Sequence, residues 1–285
     1  MQYRRLGQTD MKLSTVALGG LLAHYEGVRG HPPADEKRRI YLRASELGIN
    51  LFDMGYGDEV HIPKELKGHS ESRYFSLKVG APRAEDLEEL IDVQLKNLNR
   101  EAIDILRVHH SAFTRDKQLA ERIEELKYAG KVRSLCLIRH HRADQEAYAD
   151  HGPESEADAD LVIYNYVRRW QAPGIERSAN ARKGVLIMKA LGSQWLSWED
   201  KTRTDWANAS KETIVKLSAR GEAMRNDLEL AYPIIVGPWS ELADSGEEIP
   251  RTERAVQWVL RNRGVSSVLV AFASAAEVEE ALGVR

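Results

Sequence analysis

The 285-residue chain contains one cysteine, Cys136. A single thiol excludes an intramolecular disulfide framework and every zinc or iron–sulfur site that needs several cysteines. Neither sign of charge is in excess: 41 Lys and Arg against 44 Asp and Glu leave a formal charge of −3. That balance gives no electrostatic footprint for nucleic acid or for an anionic membrane surface. Long apolar runs are missing too. None approaches the roughly 18 residues of a membrane-crossing helix, and no apolar stretch follows Arg4 and Arg5 near the start. The chain therefore reads as a soluble, unprocessed, cytoplasmic protein. Its 42% of hydrophobic residues suffices for a sizeable core without disulfide or metal staples.

What is present is a rhythm. Residues 2–6 and 12–18, joined by a Gly-Gln-Thr-Asp turn, read as a hairpin running into a first core strand. Apolar strand patterns then recur near residues 51, 76, 106, 135, 163, 187 and 268. Helical patterns fall at 34–47, 84–98, 116–128, 143–150, 175–182, 251–262 and 275–282. Strands alternating with helices about every 30 residues argue for a parallel sheet. Eight such units fit a closed (β/α)8 TIM barrel, one domain over residues 1–285. A doubly wound open sheet ranks lower, because no Gly-x-Gly-x-x-Gly opens a helix after the first strand. One segment breaks the rhythm. Residues 191–250 hold Trp195, Trp198, Trp206 and Trp239, with a helical pattern over 211–230. After the seventh strand it would form a lid-like insertion at the carboxyl end of the barrel, or merely pack onto the barrel.

Barrel function sits where strands end. The strand-end residues include Asp53, Lys78, His109 and His110, Arg139 to His141, Tyr164 with Asn165, and Lys189. Strand alternation gives Leu51 and Asp53 one face, Ser76 and Lys78 another, and Ile105, Arg107 and His109 a third. An acid, an amine and an imidazole thus converge from neighbouring strands, with Tyr56 just beyond. A lysine beside a tyrosine lowers the phenol pKa, a carboxylate orients the lysine, and a histidine positions a carbonyl oxygen. The same residues are also compatible with a plain ion pair on a barrel rim. Arg107 shares the inward face and needs a carboxylate such as Asp53, or a bound anion, unless the strand register is off by one. His109, His110, His140 and His141 with Asp53 suggest a rival, a metal-dependent hydrolase, though only one of each adjacent pair can face inward. Glu277, Glu279 and Glu280 read as a solvated helix face.

The ordered motifs carry a resemblance. "YRRLGQTDMKLSTVALGG", "LGINLFDMGYG", "LKVG", "LNREAIDILRVHH", "ELKYAGKVRSL", "YN", "VLIMKALG" and "AVQWVLRNRGVSSVLV" resemble, in order, segments of the aldo-keto reductase family over nearly the whole chain. The resemblance implies a (β/α)8 barrel and a catalytic tetrad of Asp53, Tyr56, Lys78 and His109. It also implies an NADP or NAD cofactor, met from positions such as Arg139, Asn165, Lys189 and Ser274, and a small-molecule carbonyl substrate or its alcohol. The chain departs from the family pattern in places. Tyr56 follows Asp53 by three residues rather than five. Ile138-Arg139 replaces the Ser-Asn pair that holds the nicotinamide carboxamide. Ala273 stands where a basic residue meets the adenosine 2′-phosphate, and Ala281 replaces a final Asn. Weak or altered dinucleotide binding, with little preference for NADPH, is therefore expected. An aldo-keto-reductase-like protein without redox activity, an acid–base lyase or isomerase or a binding protein, is the alternative. Nothing in the sequence sets the oligomeric state.

Overall fold

Short apolar strands cannot bury both faces alone, and here they solve the problem by closing a ring. The computed structural model describes residues 1–19, 32–55, 57, 62–192, 194–205, 208–224, 231–234, 242–246 and 252–284. Strands β1 (Tyr3–Arg5) and β2 (Lys12–Ser14) form an antiparallel hairpin. Then follow β3 (Val16–Leu18), α1 (Ala34–Glu46), β4 (Leu51–Asp53), β5 (Tyr74–Gly80), α2 (Leu87–Leu98), β6 (Ile105–His109), α3 (His110–Arg115) and α4 (Lys117–Tyr128). Next come β7 (Leu135–Ile138), α5 (Arg142–His151), β8 (Ala159–Ile163), α6 (Ala172–Asn180) and β9 (Gly184–Met188). An insertion carries β10 (Gln194–Ser197), α7 (Trp198–Arg203), α8 (Lys211–Met224) and β11 (Ala231–Ile234). It is followed by α9 (Thr252–Leu260), β12 (Ser267–Val270) and α10 (Ala275–Ala281). In the order β12, β3, β4, β5, β6, β7, β8, β9, parallel strands close a barrel. This is the (β/α)8 TIM-barrel architecture.

The period-two alternation of each strand builds two cores. Ala17, Leu51, Tyr74, Ile105, Cys136, Ile138, Leu161, Leu186 and Leu269 fill the barrel interior. Their strand neighbours, such as Phe52, Phe75, Leu106, Leu137 and Val162, pack outward against the helices. On α2 the helical spacing of Leu87, Ile91, Leu95 and Leu98 presents one stripe to that layer. Each such buried side chain contributes roughly 1.5–3 kcal/mol. Asn99, in the left-handed conformation at φ 54°, ends the helix.

The hairpin plugs the amino end of the barrel. Leu6, Met11 and Leu13 belong to the interior cluster and are at most 1% exposed. Gly7 makes the close seating possible: it has φ +54°, and a Cβ there would lie 2.6 Å from the Gly184 nitrogen. Arg4 ties the plug down by donating to the carbonyls of Leu260 (2.8 Å), at the carboxyl end of α9, and Val265 (2.7 Å), just before β12.

Three details differ from the sequence reading. The pattern at 12–18 is two strands, because the chain leaves the hairpin at Thr15 before entering the barrel. The insertion contains a β10–β11 antiparallel pair, with Trp195 opposite Pro233 in register, which its sequence did not suggest. The helical pattern at 211–230 is helix as far as Met224; residues 225–230, with Trp206 and Trp239, lie outside the described residues. No described helix is long and apolar enough to cross a membrane.

Candidate active site at the carboxyl end of the barrel

Strands β4, β5 and β6 end side by side. Asp53 is in register with Ser76, and Lys78 with Arg107, across strands spaced roughly 4.8 Å apart. Alternation turns Asp53, Lys78 and His109 inward, so the structure brings these three together. Asp53 is 6% exposed. Its Oδ1 accepts the Gly55 N–H at 2.8 Å and pairs with the Arg107 guanidinium. The following turn is bound to the lysine strand: Met54 N–H donates to Ser76 O at 2.8 Å, and Lys78 N–H to Gly55 O at 2.7 Å. Gly57 N–H donates to Met54 O at 2.9 Å. Gly57 has φ +92°, and a Cβ there would meet the Gln94 side chain at 2.3 Å, so no other residue fits without movement. Tyr56 lies outside the described residues.

Histidines crowd the same mouth. The His109 and His141 ring centroids are 4.9 Å apart, and those of His140 and His141 5.9 Å. Burial lowers the His109 pKa, reinforced by the Lys78 ammonium and His141 and opposed by Asp144. Burial, then Lys189 and Lys78, push His140 down to about 4. Both rings are therefore neutral at pH 7, each offering one N–H and one acceptor nitrogen. His110 faces the other way. Its Nδ1 lies 3.2 Å from Asp144 Oδ1 and its Nε2 2.8 Å from Glu154 Oε1, which clasps α3 to α5 and the loop beyond. Among the described residues, no group of three or more His, Cys, Asp or Glu is arranged to hold a metal ion.

The positions expected to meet a cofactor are placed differently from one another. Arg139 is fully buried behind the barrel wall: Nε donates to Asp160 Oδ1 at 2.7 Å, and the guanidinium lies 5.3 Å from the Tyr148 ring of α5. It is not at the mouth. Asn165 is also fully buried. Its Oδ1 accepts the N–H groups of Val167 (2.9 Å) and Arg168 (2.8 Å), and its Nδ2 donates to Lys189 O at 2.8 Å. It locks the β8 and β9 loops together. Lys189 follows β9 in a left-handed conformation, φ 57°, and its charge acts on His140. Ser274 caps α10 by accepting Glu277 N–H at 3.2 Å.

The three glutamates of α10 are half-buried, and each has a partner. Glu277 accepts the Ala273 N–H at 2.7 Å, Glu279 pairs with Arg43, and Glu280 accepts from Thr252. Glu36 of α1 accepts the Ala275 N–H at 2.9 Å. Two carboxylates therefore cover the backbone where a basic residue would meet a 2′-phosphate.

The family model described as Aldo/keto reductase family matches residues 16–285. The chain belongs to the aldo-keto reductase family. Members of this family are NAD(P)H-dependent oxidoreductases. L-galactose dehydrogenase of Arabidopsis thaliana is 26% identical over 305 residues, covering 98% of this chain and 86% of that protein. The holo form of an aldo-keto reductase from Bacillus halodurans superposes with a TM-score of 0.65 at 20% identity, covering 100% of this chain and 91% of that one. The glycerol dehydrogenase of Gluconobacter oxydans gives 0.64 at 18%, covering 99% and 90%. The latter two share the fold.

The residues of this aldo-keto reductase also bear on a dinucleotide. Ser76 Oγ and His109 Nδ1 are buried polar atoms with no hydrogen-bond partner among the described residues. Arg168, in the loop after β8, is half-buried, and burial alone lowers its pKa. No carboxylate among the described residues pairs with it. A desolvated guanidinium of that kind suits an anion. Sequence reasoning passed over Arg168 because charged loop residues are ordinarily solvated. The tight Asn165 turn before it was the available signal.

Proposed function

We propose that this chain interconverts a small-molecule carbonyl and its alcohol with NAD, using NADP poorly. The observation that carries the reading is the convergence of Asp53, Lys78 and His109 at the ends of three adjacent barrel strands. In this reading Arg168 and Lys189 hold the dinucleotide diphosphate, and the mouth around His109 receives the nicotinamide. Glu36 and Glu277 suit a ribose hydroxyl and repel a 2′-phosphate. When bound, the nicotinamide supplies or accepts the hydride.

The chain's own groups handle the oxygen. Neutral His109 donates an N–H to the carbonyl oxygen and fixes its direction. Tyr56 is the proposed proton donor, its phenol made more acidic by the Lys78 ammonium. In alcohol oxidation the phenolate takes the proton back. Asp53 fixes the turn that leads from the acid to the tyrosine. Two features favour the non-redox reading instead: Arg139 and Asn165 are committed to internal bonds.

Fluorescence titration of reduced dinucleotide, followed by a screen of aldehydes and ketones for NADH oxidation, tests the proposal. NADH should bind at least about 10-fold more tightly than NADPH, a difference near 1.4 kcal/mol. Failure of both dinucleotides to bind supports the non-redox reading.

A further inference from the structure

Arg107 stands one residue pair below the mouth, on the inward face of β6 between Ile105 and His109. It is 3% exposed. A barrel interior is a costly place to keep a guanidinium. Its partner is the same Asp53 Oδ1 that accepts the Gly55 N–H. Lys78 lies directly across the register from Arg107. Arg107 Nε and Ser76 Oγ remain buried without a partner among the described residues, so apolar packing does not explain the arrangement.

We propose that Arg107 is a positioning residue of the catalytic centre, which acts by holding the Asp53 carboxylate against the Gly55 N–H. The proposal rests on the carbonyl-reductase reading of the site. A rigid guanidinium fork limits how the carboxylate can rotate. The carboxylate in turn fixes Gly55, whose carbonyl accepts the Lys78 N–H. One cation therefore sets the backbone of both the acid turn and the lysine strand. Arg107 touches no reacting atom; it acts through Asp53.

The test compares R107Q, R107K and D53N/R107Q in the full chain. The first readout does not need turnover: the Gly55 amide in a 15N–1H NMR spectrum. Its hydrogen bond to a carboxylate should place it downfield in the parent and in R107K, and it should move upfield in R107Q. The second readout is steady-state kinetics. R107Q should lower kcat about 10- to 100-fold, the scale of a displacement near 1 Å, while KM for NADH stays within about twofold. R107K should recover most of the loss. D53N/R107Q, which has no buried charge left unpaired, should fold even if R107Q does not, and it should be no slower than D53N. An unchanged Gly55 amide in R107Q overturns the proposal. So does R107K failing to improve on R107Q, or a double variant slower than D53N, which would give Arg107 a role of its own. A parent protein that turns over no carbonyl counts against the reductase reading alone, and the NMR arm then decides the role of Arg107.

Discussion

Replacing Arg139 by methionine separates a structural residue from a cofactor contact. Arg139 and Asp160 have side chains with no exposed surface. Arg139 Nη1 and Nη2 and Asp160 Oδ2 already lack partners among the described residues, so Nε to Oδ1 is the bond that holds the pair. Removing the guanidinium strands a carboxylate between the barrel wall and α5, which costs about 3–5 kcal/mol. Unfolding entropy near 2.1 cal/mol/K per residue gives a 285-residue chain about 0.6 kcal/mol/K, so Tm should fall by roughly 5–8 °C. R139M/D160L removes both charges and should return to within about 3 °C of the parent, because well-packed apolar replacements of buried pairs are often neutral. Circular-dichroism melts at pH 7.5 measure this, and NADH titration at 20 °C runs beside them. Unchanged NADH affinity with a lowered Tm supports the internal role. Lost NADH affinity with an unchanged Tm would refute it, because the guanidinium would then be reaching the dinucleotide.

Y56F removes the phenol but keeps the ring, and on a carbonyl substrate kcat should fall about 10²- to 10⁴-fold with KM little changed; a parent-like rate would remove Tyr56 from the mechanism. K78M should do similar damage in the same assay, because the phenol loses its neighbouring charge. E36Q/E277Q should narrow the preference for NADH over NADPH in calorimetric titration, and equal affinities in the parent would contradict the role given to the two carboxylates. His109 and His140 have lowered folded-state pKa values. Each therefore contributes stability that is complete above the unfolded value near 6.5 and lost as pH falls toward the folded one. Melts from pH 7.5 to 4.5 should show H109N/H140N declining less steeply than the parent; parallel slopes would count against the shifts.

The barrel was legible because each of its strands is a short apolar run bounded by turn residues, and because Lys78 and His109 alternate with buried neighbours. Alternation also contained the fate of Arg139. Cys136 and Ile138 are interior residues, so the next side chain had to face outward. The family motif, which puts position 139 at the cofactor, obscured that parity. Arg107 pairing with Asp53 followed from the same parity and from the cost of an unpaired inward cation. The β10–β11 pair was hidden for a different reason. Its strands are four residues each and lie far apart in sequence, and Pro233 within one of them argues against a strand except at an edge. The pairing of Glu279 and Glu280 was hidden because their partners, Arg43 and Thr252, belong to other helices. Long-range side-chain pairing leaves no local signal.

The seam of the ring joins its first strand to its last: Val16, Ala17 and Leu18 pair with Val268, Leu269 and Val270, and Gly19 N–H donates to Val270 O at 2.7 Å. Bringing ends about 250 residues apart costs roughly 5 kcal/mol in chain entropy before any contact repays it. On the ribosome, at about 5–20 residues per second, β3 waits on the order of 10–50 s for that partner. Throughout that interval the β3 edge that pairs with β12 lacks its partner strand. Until its last βα unit is made the ring keeps an open β3 edge, the kind of unpaired strand edge that invites association between chains.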